Sequence, residues 1–394
     1  MNFDKATNFM NSLENLGVPG ADLAVYIGGK EVYRYPVGVA DLATGTPITQ
    51  ESLFPVYSMT KLITCTAALR LYEEGRFLLN DPLYEYMPEF RNMSLRYVKG
   101  NGEPAEKPAT KPILIKNLFT MSSGYSYDFP SIHRDSSQGV DGENANGNVS
   151  LRHMVSELAK APLLFEPGTR WHYGFSHDIL GALIEVISGK TLGEYFSENI
   201  FKPLGMTDTG FKIPKEKQHR LVRCYTYNEN DKTHSLATMT PLGYLNPASP
   251  YYLSNKWIHE MAGGGLISTV DDYAKVANTL CAGGTSSNKY RLLSEATIEL
   301  MRTNHLDDIM MMDYSGNWVH HSGYGYGLGV RTMVNRAEGG SNSNIGEFGW
   351  SGLAGTFVLI DSAAKLTYVY AQQLSPSMEE FIAPRLRNIV YGCL

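Results

Sequence analysis

Residues 54–61 read FPVYSMTK, and this run, in which an apolar approach ends in a serine followed three positions later by a lysine, decides the fold. Apolar side chains then recur at spacings of three and four residues from position 62 to position 72, and Gly75 follows, which is the pattern of an amphipathic helix. The sequence therefore predicts that Ser58 lies at a helix N-terminus with Lys61 on the same helix face.

This spacing has a chemical use, because a serine hydroxyl is a weak nucleophile until a base removes its proton. Burial and the positive end of the helix both favour the neutral amine of Lys61, which could then act as that base. The pattern S-x-x-K also begins at Ser286 and at Ser362, but the first lies in a polar loop and the second in a polar turn. Ser58 is therefore the candidate nucleophile, and on spacing alone a simple helix cap is the alternative.

Composition restricts the classes of function. The 394 residues are 43% hydrophobic and 19% charged, which is typical of a globular protein, and their number is enough for two lobes. A net charge of −6 with scattered basic residues argues against a nucleic-acid partner, since such binding needs clustered Lys and Arg. The four cysteines are far apart and lack a C-x-x-C pair, so reduced thiols are expected and neither a disulfide framework nor a zinc site.

The N-terminal residues do not suggest export or membrane insertion. Acidic side chains occur early, and no apolar stretch has the length of a signal peptide. No later run approaches the roughly 18 apolar residues of a membrane span. We therefore expect a cytoplasmic protein with neither a membrane nor a nucleic acid as its partner; the sequence leaves its oligomeric state open.

Hydrophobic periodicity predicts the fold class. A helix is expected at 4–16, and a hairpin at 22–27 and 31–39 around Gly28-Gly29. Further helices are predicted at 151–160, 177–188, 191–201, 270–281, 294–302 and 377–391, strands at 324–333, 353–361 and 366–373, and surface loops at 99–112 and 133–150. The chain is thus predicted to be α/β (α+β), with an antiparallel sheet, flanked by helices, that both chain termini form.

The order of these elements also predicts the domains. Residues 1–60 and 261–394 would form the α/β sheet lobe. Residues 61–260 would form an inserted, mostly helical lobe. The active site is expected in the cleft between the two lobes.

Together with four further stretches, the run at 54–61 resembles the β-lactamase-like serine hydrolases, a superfamily that includes class C β-lactamases, DD-peptidases and β-lactamase-like carboxylesterases. These stretches follow one another along most of the chain: IKNLFTMSSG at 115–124, PGTRWHY at 167–173, GGGLISTVDD at 263–272 and YGLG at 326–329. The resemblance is closest to the family VIII carboxylesterases. It implies the β-lactamase/transpeptidase-like fold and an acyl-enzyme mechanism on Ser58.

The resemblance also implies roles for residues outside the first motif. Tyr173 corresponds to the second-motif tyrosine, which exchanges protons with the serine and the leaving group. A phenol ordinarily titrates near 10, so a base role at neutral pH needs a nearby cation, and Lys61 is the candidate. The third motif is similar to Trp350-Ser351-Gly352, and the backbone N–H groups of Leu353 and Ser58 would form the oxyanion hole.

Two departures from the family pattern bear on the substrate. Lactamases and DD-peptidases begin the third motif with a lysine that meets a carboxylate, whereas this chain has Trp350. Their second motif reads Tyr-x-Asn, whereas here Phe175 replaces the amide. The polar groups that hold a β-lactam are thus replaced by aromatic rings. The remaining predicted pocket residues are Tyr125 and Tyr244, the second in a loop at 241–258 that we expect at the pocket rim.

The sequence therefore predicts a serine carboxylesterase for neutral, hydrophobic, short-chain esters, with Ser58, Lys61 and Tyr173 as its catalytic residues. Whether Tyr173 or Lys61 is the primary base stays open. Two alternatives use the same site, an acyltransferase and a weak β-lactam hydrolase, and a third is a binding module that kept the fold without activity. No cofactor and no metal is expected, because the histidines lack a ligand spacing and the pair His320-His321 is predicted to be exposed in a loop.

Overall fold

A computed structural model describes residues 1–127, 149–237 and 259–394. Its main feature is an antiparallel sheet of eight strands that joins the two ends of the chain. Numbered along the chain, the strands lie in the order β10-β11-β12-β13-β14-β1-β2-β3, so that β14 near the C-terminus pairs with β1 near the N-terminus. The predicted fold class, a helix-flanked antiparallel sheet built from both termini, is confirmed.

The strands of this sheet are short at its C-terminal side and long where the termini meet. They are β1 (Gly20–Ile27), β2 (Lys30–Asp41), β3 (Thr46–Pro47), β10 (Tyr324–Tyr326), β11 (Arg331–Met333), β12 (Phe348–Gly352), β13 (Thr356–Asp361) and β14 (Leu366–Gln372). Three small two-stranded sheets are also present, formed by β4 (Phe54–Pro55) with β9 (Ile267–Ser268), β5 (Ser94–Val98) with β6 (Pro104–Pro108), and β7 (Tyr225–Asn228) with β8 (Thr233–Leu236).

Helices lie against the sheet and between its two halves in the sequence. In the described residues they are α1 (Asp4–Ser12), α2 (Thr60–Glu73), α3 (Ile115–Phe119), α4 (Leu151–Leu158), α5 (Ser176–Ser188), α6 (Leu192–Phe196), α7 (Lys202–Leu204), α8 (Val270–Cys281), α9 (Glu295–Arg302), α10 (Asp308–Asn317), α11 (Arg336–Gly339) and α12 (Glu379–Tyr391). A 3₁₀ turn extends α1 as far as Leu16, and a π-helical turn follows α6.

The sheet is covered on both faces, which explains why β1 is almost entirely buried. Successive side chains of a strand point to opposite faces. Leu23 and Val25 pack in one hydrophobic core with residues of α1 and α12, whereas Ala24 and Tyr26 belong to the larger core that contains α2 and α8. The site-bearing helix α2 is therefore held within the larger core.

The prediction for α2 from the sequence is wrong in one respect. Its apolar spacing predicted an amphipathic helix, but Thr60 to Leu69 are all buried, including Lys61 and three threonines. The helix is enclosed because it packs against α5 and against β12. Some of its polar side chains are satisfied inside the protein, as when Thr64 Oγ1 donates to the carbonyl of Ala262 at 2.8 Å. A buried lysine on such a helix needs specific partners.

Several boundaries also differ from the predictions. The segment 99–112 was predicted as a loop, but it contains β6 and completes the β5–β6 hairpin. The single strand expected at 324–333 is two strands, β10 and β11, joined by a turn at Gly329 with φ of 86°. The strand expected at 353–361 begins only at Thr356, because the preceding three residues form the turn between β12 and β13. The predicted loop at 133–150 lies almost entirely outside the described residues.

No disulfide links Cys65, Cys224, Cys281 and Cys393 to one another, as expected for reduced thiols. Within 1–127, 149–237 and 259–394, the helices fall short of the length and apolarity needed to cross a membrane. The division into lobes at residues 60 and 261 and the cytoplasmic location stay predictions.

Candidate active site

Ser58 lies in a 3₁₀ turn, Tyr57–Met59, that leads directly into α2. The residue before it, Tyr57, has φ of 44°, a left-handed conformation that costs a non-glycine residue about 1–2 kcal/mol. Tyr57 and Met59, on either side of Ser58, are buried, whereas Ser58 itself is partly exposed. The sharp turn thus presents the hydroxyl at the open end of the helix, and strain of this kind occurs at functional sites.

The amine of Lys61 is fully buried and has three hydrogen-bond partners. Nζ lies 3.1 Å from Ser58 Oγ, 3.1 Å from the hydroxyl of Tyr127 and 2.5 Å from the carbonyl oxygen of Gly263. An ammonium group has three donors, so these partners satisfy it completely. The helical spacing predicted the contact with Ser58, whereas the other two contacts come from segments far along the chain.

Tyr173 reaches the same place from the segment that precedes α5. Its ring centroid is 4.6 Å from Lys61 Nζ, and its hydroxyl accepts a hydrogen bond from Trp350 Nε1 at 3.3 Å. The lysine therefore faces an aromatic ring in cation–π geometry. The structure thus brings together the three residues that the sequence selected, with Trp350 beside them.

Sequence reasoning missed Tyr127. It selected Tyr125 instead, whose fully buried side chain packs edge-on against Phe90 and whose hydroxyl lies 3.9 Å from Met93 Sδ. Tyr127 hydrogen-bonds Lys61 and packs against the ring of Phe175 at 4.8 Å. The run Tyr125-Ser126-Tyr127 gave no signal that distinguishes the two tyrosines, because only the path of the chain decides which one meets Lys61.

An aromatic wall surrounds Tyr173, and we use this name for Trp171, Tyr173, Trp318, Tyr326 and Trp350. Trp318 lies 4.9 Å from the ring of Tyr173 and 5.4 Å from that of Trp350, in edge-on contacts. The sequence predicted Trp350 here but did not assign Trp318. Rings in such arrangements make a rigid apolar surface.

The end of β12 lies against the backbone that precedes Ser58. Thr356 Oγ1 donates to the carbonyl of Val56 at 3.1 Å. A Cβ on Gly352 would lie 2.4 Å from that same carbonyl oxygen, so only glycine permits the approach. Leu353, whose N–H was predicted in the oxyanion hole, is the first residue after β12 and packs beside Tyr57.

Residues 6–391 match the protein family described as Beta-lactamase. The chain belongs to the Beta-lactamase family. It is 29% identical to the acyltransferase calJ of Penicillium decumbens, over 90% of this chain and 84% of that protein. It is 26% identical to the esterase EstB of Burkholderia gladioli, over 98% of this chain and 93% of that protein. The structure of EstCE1, a hydrolase with promiscuous acyltransferase activity, matches with a TM-score of 0.78 at 23% identity, over 98% of both chains.

Membership of the Beta-lactamase family makes this chain a serine hydrolase, as predicted. The two other S-x-x-K serines have different surroundings. Ser286 Oγ binds the carbonyl of Tyr290 within its own loop, and Ser362 lies in the turn between β13 and β14. Neither serine opens a helix.

The other predicted pocket residues have separate positions in this Beta-lactamase-family fold. Phe175 is buried behind Tyr127, Ser351 is partly exposed on β12, and Tyr244 lies outside the described residues, like the rim loop at 241–258. The pocket roles of these three residues and of Tyr125 stay predictions.

Buried titratable groups lie directly behind Lys61. Burial, and then the positive charge of Lys61, lower the pKa of His177 to about 3, so this imidazole is neutral. Its Nε2 lies 3.1 Å from the carbonyl of Phe119 and 3.5 Å from Cys65 Sγ. Burial raises the pKa of the neighbouring Asp178 to about 6, although the charge of Lys61 opposes this shift.

The prediction that His320 and His321 are exposed is wrong, because His321 is 5% exposed and stacks on Tyr314. One atom of each histidine and one carboxylate oxygen of Glu379 lie within 4.8 Å of one another, a set that could hold a metal ion. The pKa of His321 is lowered well below its usual value, first by burial and then by the positive charges of His320 and two arginines. Such charges oppose a bound cation, so we assign no metal chemistry to this cluster.

Proposed function

We propose that this protein is a serine carboxylesterase that hydrolyses neutral, hydrophobic, short-chain carboxylic esters through an acyl-enzyme on Ser58. The observation that carries the proposal is the 3.1 Å contact between Lys61 Nζ and Ser58 Oγ, made beside the ring of Tyr173. A nucleophile and a proton-transfer group within hydrogen-bond reach are what acyl transfer needs. The name of the relative EstB, an esterase, supports the same reaction.

The reaction has two halves, acylation of Ser58 and hydrolysis of the acyl-enzyme. Ser58 Oγ attacks the ester carbonyl while its proton passes to Tyr173 or Lys61. The N–H groups of Ser58 and Leu353 would stabilise the negative oxygen of the tetrahedral intermediate. The same proton then goes to the departing alcohol, and the acyl group stays on Ser58. In the second half, water takes the place of the alcohol. It gives a proton to the same base and attacks the acyl-enzyme; the bond to Ser58 Oγ then breaks, the proton returns to Oγ, and the carboxylic acid is released.

The aromatic wall supports the choice of substrate. Trp350 is 2% exposed, and its indole N–H is already bonded to the hydroxyl of Tyr173. The buried side chain therefore has its polar group satisfied and supplies no counterpart of the cation of the lactamase motif. A carboxylate brought against such a wall would lose its hydration without a partner.

The proposal is tested first by Ser58→Ala, assayed with p-nitrophenyl butyrate. We expect kcat to fall by about 10⁶-fold, the usual loss when a nucleophile is removed. Ser362→Ala is the matched control, because this serine has the same S-x-x-K spacing in a turn between strands, and it should keep normal activity. A fluorophosphonate should label wild type and Ser362→Ala but not Ser58→Ala. Normal ester hydrolysis by Ser58→Ala would refute the mechanism.

The substrate class is tested separately with the mono-p-nitrophenyl ester of succinic acid, which matches the butyrate in length but carries a charge. We expect kcat/KM for the butyrate to be at least about tenfold higher, since a desolvated charge without a partner costs more than 1 kcal/mol. Esters of graded chain length then locate the preferred acyl group. Equal kcat/KM for the two matched esters would contradict the assignment of neutral substrates.

Acyl transfer to an alcohol is a second candidate, favoured by the relative calJ, whose name is that of an acyltransferase. The acyl-enzyme would be the same, and only the acceptor in the second half-reaction would differ. Assays with added butanol distinguish the two candidates, because a transferase forms the butyl ester in preference to the free acid. A chromogenic cephalosporin tests weak β-lactam hydrolysis, which we expect to be far slower than ester cleavage.

A further inference from the structure

Asp178 is a buried carboxylate with no evident structural partner for one of its oxygens. It lies in the first turn of α5 and is 0% exposed. Oδ1 accepts the backbone N–H of Gly263 at 2.9 Å, whereas Oδ2 has no hydrogen-bond partner among the described residues. Leaving a buried carboxylate oxygen unpaired costs free energy, and such groups need an explanation.

The backbone of a single residue, Gly263, connects this carboxylate to the lysine. The carbonyl of Gly263, the residue whose N–H is bound to Asp178, accepts a hydrogen bond from Lys61 Nζ at 2.5 Å. The N–H and the carbonyl belong to the two successive peptide groups on either side of the Gly263 Cα, so the carboxylate fixes the position of the residue whose carbonyl holds the amine. A Cβ on residue 263 would lie 2.7 Å from Asp178 Oδ2 and 3.0 Å from the hydroxyl of Tyr127, so glycine permits the close packing.

The amine that this chain of contacts reaches has no carboxylate in direct contact. Among the described residues, the salt bridges within 4.0 Å do not include Lys61, although its side chain is completely buried. A buried ammonium group requires a compensating charge. The charge of Lys61 opposes the upward shift in the pKa of Asp178 and is the strongest influence in that direction, so the two groups interact.

We propose that Asp178 is a positioning residue that holds the amine of Lys61 beside Ser58 through the backbone of Gly263 and compensates its positive charge. The inference rests on the proposed function and deepens it. A lysine kept as ammonium donates protons and does not accept them. The assignment therefore favours Tyr173 to receive the proton of Ser58.

The decisive variant is Asp178→Asn, which retains an acceptor for the N–H of Gly263 and removes the charge. We expect kcat for p-nitrophenyl butyrate to fall by about 10²-fold, the loss typical of a misplaced catalytic group, with KM nearly unchanged because Asp178 does not touch the ester. Because the pKa of Asp178 is raised to about 6, wild-type activity should decline below this pH. Asp178→Asn should lack this decline.

Stability gives a second readout, because a merely structural carboxylate would behave differently. A carboxyl group with a raised pKa in the folded state contributes stability that is lost as pH rises through that pKa. Asp178→Asn should therefore change the thermal midpoint at pH 8 little while losing activity, because relief of the burial cost of the carboxylate offsets loss of the charge that compensates Lys61. Lys61 is the titratable side chain that acts on the pKa of Asp178. Tyr127, whose hydroxyl lies 3.1 Å from Lys61 Nζ, and His177, the preceding residue of α5, also remain in the variant.

The control is Asp272→Asn. Asp272 is also a buried acid in the first turn of a helix, and it accepts the N–H of Asp208 at 2.6 Å, remote from Lys61. This variant should lose thermal stability and keep the wild-type kcat and pH profile. Should Asp178→Asn fail to fold, Asp178→Ser is smaller, still accepts an N–H group, and is judged by the same criteria.

The outcomes separate the two proposals. If Ser58→Ala is inactive and a folded Asp178→Asn has the kcat and pH profile of the wild type, the positioning role is refuted and the esterase assignment stands. If Ser58→Ala keeps its activity, the proposed function fails regardless of Asp178. The positioning role would also be overturned if kcat fell together with the thermal midpoint while the pH profile stayed unchanged.

Discussion

At the scale of single residues, the site depends on how Lys61 satisfies its buried amine. Its partners include the hydroxyls of Ser58 and Tyr127, which accept hydrogen bonds, and the face of the Tyr173 ring. The two tyrosines pack edge-on, with ring centroids 5.6 Å apart. One tyrosine thus offers the lysine its oxygen and the other its ring, so the two should respond differently to loss of the hydroxyl.

We predict that Tyr173→Phe lowers kcat by about 10²–10⁴-fold, the range for loss of a general acid–base group. Tyr127→Phe should cost about tenfold to hundredfold, because it removes one hydrogen bond to a charged donor, worth about 1.5–3 kcal/mol. Steady-state assays with p-nitrophenyl butyrate give both values. Tyr368→Phe serves as control, since this hydroxyl is buried in the sheet without a partner among the described residues. A larger loss for Tyr127→Phe than for Tyr173→Phe would reverse the assigned roles.

At the scale of elements, a hydrogen bond ties the sheet to the segment that leads into α2. Thr356 begins β13 and donates to the carbonyl of Val56, two residues before Ser58. The approach is close because Gly352 at the end of β12 has no side chain. This contact joins the strand that follows the turn with the predicted oxyanion group to the segment that carries the nucleophile.

We therefore predict that Thr356→Val destabilises the fold by about 0.5–1.5 kcal/mol, because the carbonyl of Val56 loses this donor and keeps only the N–H of Met59. It should also lower kcat, since the turn before Ser58 loses its tie to the sheet. Urea unfolding and ester assays measure the two effects. Thr332→Val on strand β11 of the same sheet is the matched control, because Thr332 Oγ1 is buried without a partner in the part of the chain described. Similar losses in both variants would argue against a specific tie.

At the scale of the whole molecule, two carboxylates hold the start of α6, and one of them comes from the segment that leads to Gly263 in the active site. Glu185 on α5 accepts the N–H of Leu192 at 3.0 Å, and Glu260 accepts that of Gly193 at 2.6 Å. Glu260 lies three residues before Gly263, which binds Lys61. Burial raises the pKa of Glu185 to about 7, and the charge of Glu260 adds to this shift.

This pair predicts a pH dependence of stability. The folded-state pKa of Glu185 lies above its ordinary value, so its contribution to stability is complete at low pH and is lost as pH rises through about 7. Glu185→Gln keeps an acceptor for Leu192 and cannot ionise. Relative to wild type, it should gain at most about 2 kcal/mol between pH 5 and pH 8, a value reduced for the partial exposure of Glu185. Chemical unfolding at both pH values tests this, and a pH-independent difference would contradict it.

The sequence by itself determined the elements whose information is local. Two strand-like runs on either side of Gly28-Gly29 predicted the β1–β2 hairpin, and the helical spacing predicted that Ser58 and Lys61, 3.1 Å apart, are neighbours. Ordered motifs gave the family and, through Trp350, the departure from lactamases. These features could be predicted because helix and strand geometry fix which nearby residues share a face.

Only the tertiary structure decided the rest of the lysine's surroundings. Tyr127 lies 66 positions from Lys61, and Gly263 lies 202 positions from it, so no spacing rule connects them. The burial of α2 and the link from Asp178 to the amine likewise follow from how elements pack. Such contacts depend on which surfaces exclude water together, a property of the folded chain as a whole and not of any segment read alone.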